Sequence, residues 1–245
     1  MKKWMLYILL SALMLVLWQY FGSHNQTVRL LISSPALIAQ YFAENMGDLL
    51  IATRTTLIEA VAGLFIAVMF SFTTMIVCFY KPKLMDFILP LMVTSQVIPI
   101  IVLAPFFIIL LGIGPASKIA MAAVISFFPV FVNFAHGYKS ISNNIHELMH
   151  IYNAPLRFRI THVYFPLSMR SIMAGLKVSA TLAVIGAIVA EFTGAENGLG
   201  KNLFISAIRL EPDLMMTSLL LSSMIGLSVY GSIILIEKGM FSWYE

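Results

Sequence analysis

One short stretch, His146-Glu147-Leu148-Met149-His150, has residue types and a spacing that could carry chemistry. On a helix the two imidazoles fall one turn apart on one face, where they can share a metal ion. The glutamate between them is then placed as a general base toward a metal-bound water, as in zinc proteases. A catalytic zinc needs a third protein ligand. The continuation that would supply it calls for glycine and histidine where this chain has Asn153 and Leu156, and His162 lies beyond Pro155. The segment is therefore read as polar residues on a solvated helix, with a membrane zinc metalloprotease kept as an alternative. Three further charged residues sit in or beside long apolar runs: Glu59, Lys177 and Glu191.

Those runs define what positions the charged groups. The chain has 245 residues, 60% hydrophobic and 11% charged, with mean hydropathy +0.93. Soluble domains carry about 25% charged residues, so this composition is that of a membrane protein, read as a single domain over 1–245. A helix needs about 20 apolar residues to cross a bilayer core. Six stretches qualify, near 4–21, 56–79, 87–111, 118–138, 171–192 and 214–236, and helices alone satisfy their backbone in lipid without closing a barrel. The first run lacks a small-residue cleavage site after it, so it is expected to be retained as a span. Lys2, Lys3, Lys81, Lys83, Lys139, Arg157, Arg159, Arg170 and Lys238 fall on one side if the spans alternate. The positive-inside rule then makes both termini and the 139–170 loop cytoplasmic. Arg29, Arg54, Lys118, Lys201 and Arg209 fall on the other side. The net charge of +4 is a matter of topology here and gives no sign of nucleic acid. The single cysteine, Cys78, lies in an apolar run and excludes an intrachain disulfide.

Two outer segments are expected to be helical. One begins after Pro35, a residue suited to a first turn; the other lies within 194–213 and is ended by Pro212. Both are fit to lie along the membrane face. In the cytoplasmic loop, Asn143 or Asn144 can cap a helix with Glu147 near its positive end. Pro155 disfavours helix at Ala154, and Asn153 tolerates the left-handed conformation at a helix end. A helix of about two turns follows, then a turn, then a basic stretch returning to the membrane. A short helix held in water between two spans suits docking onto another protein.

The loop resembles the cytoplasmic loop of ABC importer permeases, whose pattern is E-A-A, three residues, G, nine residues, I-x-L-P. Glu147-Leu148-Met149 stands at E-A-A, Asn153 at the glycine, and Val163-Tyr164-Phe165-Pro166 at I-x-L-P. Leu148, Met149 and Asn153 depart from the pattern in type, and asparagine for glycine is the mildest change because both accept positive φ. PFFIILLGIGPASK (105–118), ISFFPVFVN (125–133), MAGLKVSATLAVIGAIVAEF (173–192) and NGLGKNL (197–203) are similar to the nitrate, sulfonate, taurine and thiamine-precursor branch of that family. Glu59 stands where relatives often carry a basic residue.

The resemblance implies a type I importer permease in a bacterial cytoplasmic (inner) membrane. It implies a second copy of this chain, two cytoplasmic ATP-binding subunits and an extracytoplasmic substrate-binding protein as partners. ATP and Mg would belong to the ATPase subunits, and no cofactor to this chain. Glu147 and Asn153, with Leu148, Met149 and Pro155, would form a coupling helix docked on the ATPase.

The remaining signals concern packing and the route across the membrane. Gly175, Ser179, Ala183 and Ala187 recur every fourth residue and let another helix approach closely. Lys177 and Glu191 are about 21 Å apart along a helix and cannot pair with each other. They either face a pathway or lie at interfacial depth, and Glu59 is read the same way, as pore or gate lining or an interfacial acid. Pro90, Pro99 and Pro105 require span three to kink or break. Gly198-Leu199-Gly200 lacks a Walker continuation, so no nucleotide site is expected. A secondary transporter, the other alternative, usually shows paired inverted halves, and none is visible.

Overall fold

The computed structural model describes residues 2–24 and 32–241, which are helices joined by short turns. Arg29, used above for orientation, lies outside the described residues. Helix α1 (Lys2–His24) is followed by a short outer helix, α2 (Pro35–Glu44). Pro35 opens α2 as expected, and the Ser34 hydroxyl caps it by accepting the Leu37 N–H at 3.4 Å. The same turn holds α1 in place: the Trp18 indole N–H donates to the Ser33 carbonyl at 3.0 Å, and Gln19 Oε1 accepts the Ala36 N–H at 3.0 Å.

Helix α3 (Met46–Tyr80) begins ten residues before the expected second span. Its 35 residues rise about 52 Å, well beyond a hydrocarbon core of about 30 Å. Asp48 and Arg54 thus ride on a helix that projects from the membrane instead of lying in a loop. Span three is broken into α4 (Pro82–Ser95) and α5 (Ile100–Leu111), bent by 102°. Of its three prolines only Pro99 stands at the break, where it caps α5, while Pro90 and Pro105 are carried inside the half-helices. Helix α6 (Pro115–Lys139) returns to the cytoplasmic side.

The expected 139–170 loop is mostly helix. Helix α7 (Asn143–Ile151) is followed by a turn at Tyr152–Pro155, after which α8 (Leu156–Thr193) runs on as one rod with a π-helical stretch at Arg159–Tyr164. The basic stretch is therefore the cytoplasmic end of span five. Helix α9 (Leu199–Arg209) ends on Leu210, which takes a left-handed φ of 55°, and Pro212 opens α10 (Pro212–Phe241). Five described helices are long and apolar enough to cross a membrane, or six with α4 and α5 as one broken span.

The core lies where α6 packs between α3 and α8. Gly175 on α8 shows how close the approach is: a Cβ there would stand 2.6 Å from the Pro129 carbonyl and 2.7 Å from Asn133 Cβ. Ser179 Oγ donates to the Ser126 carbonyl at 2.7 Å, and Ser126 Oγ to that of Ser179 at 3.2 Å, crossing between the two helices. Ala183 and Ala187 complete the buried row. The small-residue stripe is a packing face, as its spacing implied. At the cytoplasmic end the core is aromatic, with Phe79, Phe134, Tyr138 and Tyr164 joining α3, α6 and α8.

Candidate functional site

The cytoplasmic helix α7 is set on the core by His146. Its ring lies 5.5 Å from that of Tyr138 and 5.3 Å from that of Tyr164, and Nδ1 is 3.4 Å from the Tyr164 hydroxyl. His150 is exposed, and the described residues contain no group of three His, Cys, Asp or Glu side chains that could hold a metal. With His146 inward, Glu147, Leu148, Ile151 and Tyr152 face outward. Ile151 is 79% exposed and Tyr152 74%, which leaves an apolar surface on a nine-residue helix without a covering element among the described residues.

Asn153 has φ 50°, the left-handed conformation expected of it. The Ala154 N–H reaches the Met149 carbonyl at 3.1 Å and the Asn153 N–H that of His150 at 3.0 Å. This is the pair of bonds that closes a helix on a left-handed residue. Arg159 Nε donates to the Ala154 carbonyl at 2.6 Å and ties that turn to α8. Two expectations need correction. Ser142, not Asn143 or Asn144, stands at the cap and makes no side-chain bond there. Glu147 is the fifth residue of α7, past the turn where the helix dipole is strongest.

At the outer end, Glu59, Glu191 and Lys118 come together from α3, α8 and α6. They are 5%, 1% and 2% exposed, so neither glutamate snorkels out to water. The Thr56 hydroxyl stands 2.7 and 2.9 Å from the two carboxylate oxygens of Glu191 and accepts the Leu199 N–H at 2.9 Å. The Gly200 N–H donates to Glu191 Oε2 at 2.7 Å, so the carboxylate sits on the positive end of α9. Gly198 is required twice over: its φ is 128°, and a Cβ there would fall on the Glu191 carboxylate. Asn197-Gly198-Leu199-Gly200 is thus a cradle for a side chain of the same protein. Lys118 Nζ donates to the carbonyls of Ile113 and Gly114, the latter at 3.1 Å. Glu59 Oε2 has no hydrogen-bond partner among the described residues.

Lys177 lies apart from this cluster and pairs with Glu237 of α10 at 2.5 Å. The sequence reading missed Lys118 and Glu237. Lys118 had been counted among outer-side cations, yet it lies one turn into α6, at the same depth as Glu59 and Glu191 on neighbouring spans. That shared depth was the available signal. Glu237, at the cytoplasmic end of the last span, carried none, because its partner is sixty residues away.

The helical spans, the anchored cytoplasmic helix and its left-handed close define a polytopic membrane protein. Residues 60–241 match the family described as binding-protein-dependent transport system inner membrane component. The chain belongs to that family and is the membrane-spanning permease component of an ABC importer, a multi-pass protein of the inner membrane. It is 29% identical to a probable ABC transporter permease protein of Haemophilus influenzae over 92% of each chain. It is 35% identical to the formylaminopyrimidine transport permease protein of Halalkalibacterium halodurans over 56% of this chain and 55% of that one. A putative aliphatic sulfonates transport permease protein of Bacillus subtilis is 22% identical over 98% of this chain and 88% of its own length.

Proposed function

We propose that two copies of this chain form the route for a small solute of the nitrate, sulfonate, taurine or thiamine-precursor kind. An external binding protein delivers the solute, and two cytoplasmic ATP-binding subunits drive its passage inward. The chain performs no chemistry of its own; ATP and Mg belong to the partner subunits. The observation that carries the coupling part of this reading is α7. It exposes Glu147, Leu148, Ile151 and Tyr152 to the cytoplasm while His146 fixes its other face to the membrane core. Met149, Asn153 and Pro155 shape the same surface, Asn153 by ending the helix and Pro155 by starting the next. A partner that moves α7 moves α8 with it through the Arg159 bond.

For the route itself, Glu59 and Glu191 act at its outer end as a closure between α3 and the α8–α9 corner. Lys177, held by Glu237, stands nearer the cytoplasm. The sulfonates and formylaminopyrimidine named for relatives differ in charge, and the solute of this chain is one of that size. The test is Glu147→Lys measured as uptake by cells producing the whole transporter. Uptake falls to background while the variant inserts and folds as the native chain does. Native uptake by that variant overturns the coupling role.

A further inference from the structure

The outer cluster brings together two acceptors and no donor to join them. Glu191 receives the Thr56 hydroxyl and the Gly200 N–H, and the hydroxyl has no second proton to offer. Glu59 sits one turn along α3 from Thr56 on the same face, which turns its carboxyl toward that of Glu191. The two carboxyl groups are in hydrogen-bonding contact. Ionised carboxylates only accept, and Glu59 Oε2 has no donor among the described residues.

The cluster's cation does not make up the difference. Lys118 stands one turn of α6 before Ala122, the residue that meets Gly63 of α3, and so lies beside Glu59. Its ammonium is bonded to the Ile113 and Gly114 carbonyls, and neither glutamate forms an ion pair among the described residues. Glu196, in the turn before α9, faces Lys118 and is a further acid. Glu59 and Glu191, at 5% and 1% exposure, thus leave one negative charge without a counterpart. Two carboxyl groups in contact away from water do not both ionise. A proton between them supplies the missing donor and the missing charge at once.

We infer that Glu59 and Glu191 hold one proton between them, with Glu59 donating it to the Glu191 carboxylate, and that this proton keeps the outer closure shut. The inference rests on the closure proposed above and names what controls it. When α3 and the α8–α9 corner part, water reaches both groups. The O–H bond of Glu59 then breaks and its proton passes to water, as for any carboxyl in neutral solution. The two carboxylates left behind repel, so the closure re-forms only when a proton returns. The closed state binds one proton more than the open one. Each rise of one pH unit therefore moves the balance toward open by at most about ten-fold.

Infrared spectra of the chain purified with its partner subunits test the proton directly. At about pH 7 carboxyl groups in water are ionised, so an acid C=O stretch that shifts in heavy water reports a protonated carboxyl. Glu59→Gln keeps a donor facing Glu191 and carries no titratable proton. The native-minus-variant difference spectrum is expected to show the acid band. Glu59→Gln melts no lower than the native complex at about pH 7, and Glu59→Ala, which lacks the donor, melts below both. Between about pH 7 and about pH 9 the native complex loses thermal stability relative to Glu59→Gln. A difference spectrum without the acid band, or a constant gap in melting temperature across that range, overturns the shared proton. So does the absence of any acid band from the native complex at about pH 7, a reading that needs no variant. Stabilisation by added sodium ions in place of acid makes the missing charge a bound metal cation and overturns it as well. Uptake reads the closure separately: external pH is expected to change native uptake relative to that of Glu59→Gln. Identical pH profiles would sink the closure and leave the acid band standing.

Discussion

Thr56 carries one hydroxyl that donates to the Glu191 carboxylate and accepts from the Leu199 amide, joining three helices through a single atom. Thr56→Val keeps the shape and removes the bridge, leaving a buried N–H and a buried carboxylate each one bond short. The expected loss is about 2–4 kcal/mol, with Thr56→Ser losing much less. Thermal unfolding in detergent measures both, and equal stability of the valine and serine variants would show that the bridge contributes nothing.

Tyr41, on the outer helix α2, offers a second test at this scale. Burial, and then the negative charges of Glu211, Asp213 and Asp48, hold its phenol above the ordinary value of 10.0. Folding therefore favours the protonated phenol. The resulting stability is whole below that ordinary value and is lost as pH rises through the folded-state value. Among nine tyrosines Tyr41 should titrate late in the phenolate absorbance curve. Tyr41→Phe removes a component from the alkaline end; removal from the middle of the curve sinks the assignment. The residues legible from sequence were those with local reasons. Asn153 could be assigned because a proline and a chain reversal followed it. Lys118 was not, because its neighbours Glu59 and Glu191 come from helices about sixty and seventy residues away and only a shared depth pointed to them.

The α6–α8 contact depends on missing side chains. Gly175→Val should destabilise by about 1–3 kcal/mol or more, since its side chain would meet the Pro129 carbonyl and Asn133, one of them backbone that cannot swing aside. Yield of monodisperse protein and its unfolding temperature report the effect, and a native-like variant would mean that the two helices can part at little cost. Element boundaries show where pattern reading ends. Hydropathy located every span, but Arg157, Arg159, His162 and Arg170 hid the start of α8. Those side chains accompany Ile160, Val163 and Tyr164, which the aromatic core holds in helix. Likewise three prolines announced a disturbance in span three without saying which would break it. Pro99 does so because it begins the second half-helix, while Pro90 and Pro105 are carried inside the half-helices.

At the scale of the whole molecule, the chain leaves surface that a lone copy in lipid has no use for: the uncovered face of α7 in water and the open break of span three. Gentle purification of a tagged chain should bring a second, untagged copy and an ATP-binding subunit with it in about equal amounts, as expected for obligate subunits. The Glu147→Lys variant should retain the second copy and lose the ATP-binding subunit. Recovery of the native chain alone would contradict both partnerships. The expected assembly rests on the family resemblance, because symmetry and partner surfaces leave little trace in the hydropathy of one chain.

Helix α8 also has a length, and length is leverage. Its α-helical part, Phe165–Thr193, is about 43 Å long, with Tyr164 fastened beside the cytoplasmic helix at one end and Glu191 in its cradle at the other. A tilt of about 5° at the cytoplasmic end swings the far end by about 4 Å, more than the whole 2.7 Å span of the Thr56–Glu191 bond. The wider ring at Arg159–Tyr164 sits where such a beam needs its fulcrum. A displacement that is small at the cytoplasmic end is thus large enough, at the opposite end of the helix, to exceed the reach of the bond that holds Glu191 to Thr56.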